Sequence, residues 1–450
     1  MARAWSVLLV LLVVVCAACG GGAMPPTAAP GDPTPTRTAD AGPPPTPAPD
    51  TLYVDAGRRV GAISPFVYGT NYGPWSVLPF DLQSQAWEAG ITYLRFPGGN
   101  WGDQHNLRPF HIDPFIELCQ HMGAEPSISV RLEGGTPEAA AEVVRYVNLE
   151  QGYGVRYWSI GNEPSLYDGY DVDRYNAEWR LFAEAMLAVD PSILLIGPDL
   201  HQYSADLATD PKDSAGNDWL RGFLTANGDL VDVVSIHRYP FPTSLADAAT
   251  TIDDLRANSR EWDKIIAHLR TVVGEASGRD LPVAVTEINT HWSSAVSGEA
   301  TPDAFYAAIW WGDVLGRLIR QRVEIVAHFT FYSKNSIGGW GLLGQSGVRP
   351  AYYVYQIYRR FGDQLVYASS GDPDLSIYAA VNDAGALTLI VINLGPREKT
   401  CPLRLEGFAP GEVQRWLFDI DHAAERIGTE TLEERIVLPG QSMTLYVLEP

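Results

Sequence analysis

The chain has 450 residues, 46% of them apolar, which is material for two or three domains and a sizeable core. Its net charge of −22, from 54 acidic against 32 basic residues, repels phosphate backbones, anionic lipid headgroups and long polyanions, so nucleic acid is excluded as a natural partner. Four cysteines are too few for a disulfide scaffold at this length, while 13 Trp and 21 Tyr supply flat amphipathic rings that suit sugar faces and large cores alike.

The first fifty residues do not read as fold. Arg3 gives a basic start, Val7 to Ala18 an apolar run too short to span a bilayer, and Ala17 and Ala18 stand directly before Cys19. Residues 1–19 resemble a bacterial lipoprotein signal, in which Cys19 would be acylated; Cys16 stands where such signals carry an aliphatic residue. Simple secretion with cleavage nearby is the alternative. Cys16 and Cys19 also spell C-x-x-C, a spacing without redox or zinc meaning inside an apolar leader. In residues 20–50 ten of 31 are proline, a composition that forms no core and predicts an extended linker. At about 3.1 Å per residue it would reach up to ~100 Å. The reading is an exported, extracellular protein tethered to a membrane only by its N-terminal anchor. Cys119 and Cys401, the remaining cysteines, are read as lone buried thiols.

From residue 51 to 362 apolar runs alternate with helical periods. Strands are expected at 66–70, 91–96, 127–132, 156–161, 193–198, 231–237, 282–288 and 324–331. PEAAAEVVRYVNLE and AEWRLFAEAMLAVD carry the amphipathic spacing of helices between them. Continuous apolar runs mark parallel strands buried on both faces. Eight such units predict an α/β fold, a closed (β/α)₈ barrel, with a doubly wound open sheet as its rival. Residues 363–450 lose the helical period, and DLSIYAAVN, ALTLIVINL, CPLRLEGF, VQRWLFDI and SMTLYVLEP predict a small C-terminal β-sandwich. TLYVDAG, ahead of the barrel, is a candidate to join it.

Reactive groups of such barrels gather where strands end. The polar strand ends here are Arg95, Arg131, Asn162 with Glu163, Asp199, His237 with Tyr239, and Glu287, followed by the loop that holds Trp340. Glu163 and Glu287 stand out. They end the fourth and seventh strands, which face each other across a barrel, so both carboxylates can point into one cleft. Paired carboxylates suit glycoside hydrolysis, one protonating the leaving oxygen while the other attacks or activates water. Their mutual repulsion would help keep one protonated.

GNEP around Glu163, TE at Glu287, Arg95 in YLRFPGGN and HRY at His237 to Tyr239 fall on the proper strands in order. In this the chain resembles the clan A glycoside hydrolases, whose catalytic pair sits on strands four and seven. RFPGGN and GGTPEAAAEVVRYVN are similar to families 51, 39, 44 and 79, and family 51 α-L-arabinofuranosidases, a barrel followed by a sandwich, look closest over residues 52–450. The resemblance implies Glu163 as acid/base and Glu287 as nucleophile, with Asn162 on a sugar hydroxyl. It implies that Tyr239 orients Glu287, that Arg95 lowers the pKa of Glu287, and that the carboxyl groups stand roughly 5–5.5 Å apart with retention of configuration. Pro164 departs from family 51 towards families 39 and 44, which bears on the substrate rather than on the mechanism.

Asn100, Trp101, Arg131, His237 and Trp340 complete the substrate-binding candidates, with Trp75 as a further cleft residue. Arg131 and Arg238 are read as solvated or paired, or as forks for a uronic acid. G-x-G-x-x-G at Gly339, Gly341 and Gly344 lacks the setting of a dinucleotide site and reads as a loop. His105 and His111 form no metal set, so no metal or cofactor is expected, although so acidic a chain leaves room for structural calcium. The expected partner is a carbohydrate: arabinofuranosides first, then xylosides and β-glucans, with glucuronides last. A catalytically silent surface lectin and a structural envelope lipoprotein are the readings from other classes.

Overall fold

Eight short parallel strands close the barrel that the alternating pattern predicts. The computed structural model describes residues 45–241, 248–295, 298–335 and 337–450; the signal-like segment with Cys19 and the linker residues 20–44 lie outside the described residues. The first strand, β1 (Leu52–Ala62), belongs to a second sheet. The barrel is β2 (Gly69–Asn71), β3 (Tyr93–Phe96), β4 (Glu125–Val130), β5 (Tyr157–Ile160), β6 (Leu194–Leu200), β7 (Val233–Arg238), β8 (Val283–Ile288) and β9 (Ile325–His328). These strands pair in chain order and β9 returns to β2, which rules out the open sheet. Their side chains are almost all buried, as strands covered on both faces require.

Tyr93, Tyr157, Ile196, Val233, Ala284, Ile325 and Ala327 fill the lower interior. This plug makes the barrel a packed core and floors the site above it. Outside, Thr136 caps the helix Pro137–Val144 by accepting from the Ala139 amide, and Asp171 caps Val172–Val189 by accepting from that of Arg174. Both helices lie where the amphipathic stretches predict them. The two described cysteines, Cys119 and Cys401, are buried free thiols.

After β9 three short strands, β10 (Tyr332–Ser333), β11 (Leu343–Gly344) and β12 (Gly347–Val348), form a small sheet of their own. The C-terminal strands are β13 (Gln364–Ser370), β14 (Leu375–Val381), β15 (Leu387–Asn393), β16 (Lys399–Glu406), β17 (Val413–Phe418), β18 (Ala423–Glu430), β19 (Arg435–Leu438) and β20 (Ser442–Leu448). With β1 they run in the order β18-β17-β20-β15-β14-β13-β1-β16-β19. Ile377, Ala379, Leu389 and Val391 pack with Leu52, Val54, Leu403 and Ile436, so the sheet folds over on itself into two layers. The alternate residues Tyr378, Ala380, Ile390 and Ile392 face the barrel core. Residues 45–50, within the stretch read as linker, lie against this sheet: Tyr367 donates to the Pro45 carbonyl and the Asp50 amide to that of Gly371.

The barrel meets the sheet along the helix Phe305–Arg320, whose residues 306–319 are all buried. A Cβ at Gly316 would stand 2.2 Å from the Tyr378 ring, so only glycine lets the two surfaces close. Arg317 pairs with Asp313 at 3.0 Å, and the Tyr378 hydroxyl donates to the same carboxylate at 2.6 Å. Gly316→Ala is expected to lower stability by about 1–3 kcal/mol through overpacking. A urea titration would show it as a lower midpoint with an unchanged slope.

Candidate active site

Each polar group of the site hangs from a strand end. Arg95, on β3, is fully buried and makes four hydrogen bonds. Its Nη1 donates to Glu287 Oε1 at 2.7 Å and Asn71 Oδ1 at 3.1 Å, its Nη2 to Asn162 Oδ1 at 2.9 Å and Asp199 Oδ2 at 3.0 Å. Burial alone would lower its pKa, but Asp199 and Glu287 outweigh that and raise it, so its charge is fixed. Burial in turn raises the pKa of Asp199, and Arg95 and His237 more than reverse this.

Glu287, on β8, is held on both oxygens. Oε1 accepts from Arg95 and from the Gly99 amide at 2.7 Å; Oε2 accepts from the Tyr239 hydroxyl at 2.7 Å. Gly99 turns its amide towards Oε1 at φ +67°, which explains a glycine in the P-G-G-N stretch.

Glu163, just past β5, is held differently. Its backbone lies in the left-handed region at φ 50°, with its amide donating to the Asp199 carbonyl at 3.2 Å. That is an uncommon place for a side chain this long, maintained by the surrounding bonds. Both Nδ1 of His237 and Nδ1 of His201 meet the same oxygen, Oε1, at 3.0 and 3.1 Å. Burial raises the Glu163 pKa, but the two imidazoles outweigh it and hold the carboxyl below its ordinary value. For His237 burial lowers the pKa, and the charge of Glu287 with the bond to Glu163 raises it. The two imidazoles thus oppose protonation of Glu163 rather than favour it. Carboxylate repulsion alone predicts otherwise, because it leaves out two ring nitrogens on one oxygen.

Ligand-type atoms of Glu163, His237 and Glu287 lie within 4.8 Å of one another. The spacing admits a cation. However, both oxygens of Glu287 are engaged by donors, and the Arg95 guanidinium opposes a second positive charge beside it. The arrangement suits a nucleophile facing a proton donor, not a metal ligand set.

The site opens into a cleft of about 770 Å³ lined by Trp75, Asn100, Glu163, His201, Tyr239, Glu287, Trp292, Phe329, Lys334 and Trp340, among others. Trp75 stacks on Phe329, and Trp340 stands edge-on to the same ring. Asn162 donates to Asn100 Oδ1 at 3.0 Å, so the two amides are locked together beside Arg95.

Two candidates lie elsewhere. Trp101 begins a short helix, Trp101–Gln104, its ring stacks on His105 at 4.5 Å, and it is not among the residues that line the cleft. Arg131 borders a separate cavity of about 350 Å³, and its Nε donates to the Glu133 carbonyl. Arg238 is paired through both prongs with Glu261. His201, Asn71 and the Gly99 amide do not stand out in the sequence. Nor does Asp103, which accepts from the Tyr167 hydroxyl at 2.6 Å while that hydroxyl accepts from the Asn162 amide at 2.8 Å.

Burial pushes the Asp103 carboxyl up to about 7, with the Tyr167 bond opposing. A folded-state value above the unfolded one means stability present at acid pH and lost as pH rises from about 4 through about 7, by ~1.4 kcal/mol for each pH unit crossed. Asp103→Asn keeps an acceptor for Tyr167 and removes the titration. Thermal melts across pH should therefore flatten, with the variant the more stable form above pH 7.

No family model matches the chain. An alpha-L-arabinofuranosidase C from Emericella nidulans is 27% identical over 253 residues, 42% of this chain and 49% of that protein. The chain spans about half the length of the curated relatives it matches. Among solved structures, a GH51 alpha-L-arabinofuranosidase from Thermotoga petrophila RKU-1 superposes with TM-score 0.70 at 19% identity, over 89% of this chain and 100% of that one. CelM2, a bifunctional glucanase-xylanase from a metagenome library, does so with TM-score 0.71 at 19% identity, over 90% and 100%. At that identity the likeness concerns the fold, barrel and sheet together. The resemblance to α-L-arabinofuranosidases, read from short motifs, is found again in the comparison of a long segment.

Proposed function

We propose that the chain is a retaining glycoside hydrolase acting outside the cell, with α-L-arabinofuranosides as its first substrate class and xylosides and β-glucans next. The observation that carries this reading is the unequal environment of two facing carboxylates with oxygens within 4.8 Å. Such proximity supports the retaining spacing of roughly 5–5.5 Å over the roughly 6.5–9.5 Å of an inverting pair.

Glu287, oriented by Arg95, Gly99 and Tyr239, attacks the anomeric carbon as the glycosidic bond breaks. Glu163 gives its proton to the departing oxygen. Water then loses a proton to Glu163 while its oxygen displaces Glu287, which restores both carboxyl groups. Asn162, fixed between Arg95 and Asn100, offers its amide to a sugar hydroxyl whose hydrogen bond strengthens as positive charge develops. Trp75 and Trp340 give the cleft apolar faces for sugar rings.

The arginines offer a uronic acid no free fork, which supports a neutral sugar, although Lys334 lines the cleft. Arg238 is committed to Glu261, Arg131 borders another cavity, and Arg95 is spent on four acceptors. Export and acylation at Cys19 are part of the proposal, supported by the leader and the proline-rich stretch. Among the described residues no helix is long and apolar enough to cross a membrane. The test is release of reducing sugar from polysaccharides and aryl glycosides, wild type beside Glu287→Gln. Release by the wild type alone supports the enzyme. Tight binding to one glycan with no release by either would make the chain a capture protein.

A further inference from the structure

Resting on the glycosidase reading, we propose that His201 is a positioning residue for the acid/base: its ring N–H occupies one lone pair of Glu163 Oε1 and leaves Oε2 as the only seat for the transferable proton. A carboxyl oxygen has two lone pairs for hydrogen bonds. On Oε1 one meets Nδ1 of His237 at 3.0 Å and the other Nδ1 of His201 at 3.1 Å. Among the described residues no protein donor is assigned to Oε2, and Glu163 lines the cleft. A proton carried by Glu163 is thereby placed on the oxygen open to the leaving group.

The two histidines are not equivalent. His237 is fully buried, whereas the His201 side chain is 26% exposed and lines the cleft. His201 stands just beyond the end of β6, where its ring borders the cleft. The other ionisable groups around Glu163 are buried and interlocked. They are His237 from β7, with ring nitrogens 3.8 Å from Asp199 Oδ1 and Glu287 Oε2, Arg95 from β3, Tyr239 after β7 and Asp103 after β3. Of the two rings on Glu163 Oε1, His201 is thus the one that borders the cleft. Its N–H and its positive charge both favour the ionised form of Glu163, so its loss makes that carboxyl hold its proton to higher pH.

The test compares wild type, His201→Asn and His201→Phe on two arabinofuranosides of the same sugar, one with a methyl and one with a dinitrophenyl leaving group. Asparagine places an amide N–H near the Nδ1 position without a charge; phenylalanine keeps the bulk and neither. The alkaline limb of kcat/KM, which follows loss of the acid's proton in the free enzyme, should move up by about one pH unit in the Phe variant and by less in the Asn variant. At the wild-type optimum the Phe variant should lose about 10- to 100-fold in kcat/KM on the methyl glycoside. On the dinitrophenyl glycoside, whose departure needs no proton, it should keep its kcat/KM, which reports the bond-breaking step alone. The Asn variant should recover most of the loss. An unmoved limb with equal losses on both leaving groups would overturn the inference and leave the glycosidase reading standing. A wild type inactive on every glycoside would overturn both.

Discussion

Replacing Glu287 by alanine is expected to abolish turnover, by roughly 10⁴-fold or more, while the barrel stays folded. The carboxylate meets Arg95, Gly99 and Tyr239, and in the variant Arg95 keeps Asp199 as a counter-charge. On the proposed mechanism, what disappears is the atom that forms the bond to the anomeric carbon. Added azide should restore activity by occupying the vacated space and attacking from the same side, giving a glycosyl azide of inverted configuration. Glu163→Ala should behave in the opposite sense, with its loss concentrated on poor leaving groups and azide yielding a retained product. Anomeric configuration of the two azide products by NMR decides the assignment, and an unchanged rate in either variant removes that residue from the mechanism.

Arg95→Leu should damage folding and activity together. The guanidinium is completely buried and neutralises two carboxylates, Asp199 at 3.0 Å and Glu287 at 2.7 Å. Removing one partner of a buried ion pair leaves uncompensated charge, with a cost of about 3–5 kcal/mol. Arg95→Lys keeps the charge but cannot reach four acceptors with one nitrogen, so it should fold better than the Leu variant and remain poorly active. Denaturant titration and kcat, measured together, separate these effects. A Leu variant as stable as the wild type would mean that Asp199 and Glu287 do not need the cation.

The legible part of the site is whatever sits at the end of an apolar run. Arg95, Glu163, His237 and Glu287 close strands whose buried stretches are plain in the sequence, and barrel closure brings them together. His201 escapes because the apolar run predicts a strand that stops at residue 198, whereas β6 continues to Leu200 and places the ring just beyond. Asp103, in the short helix Trp101–Gln104, and Tyr167 meet across 64 positions, and no periodicity encodes such a meeting. Trp101 follows P-G-G-N, which predicts a place in the cleft, but a short helix begins there and turns the ring onto His105. The two-layer sheet is legible as strands, and β1 as a candidate to join them. Its place between β13 and β16, antiparallel to one and parallel to the other, is not.

That insertion bears on the order in which the molecule can assemble during synthesis. Leu52 pairs with Ser370 on one side and Leu403 on the other. The apolar face of β1, Leu52, Val54 and Ala56, is made before the barrel and finds its cover only after the barrel has left the ribosome. At about 5–20 residues per second the wait for β16 is roughly 20–70 s. The barrel strands, each hydrogen-bonded to the next in the chain, can associate as they emerge, whereas the sheet closes around a strand that emerged first.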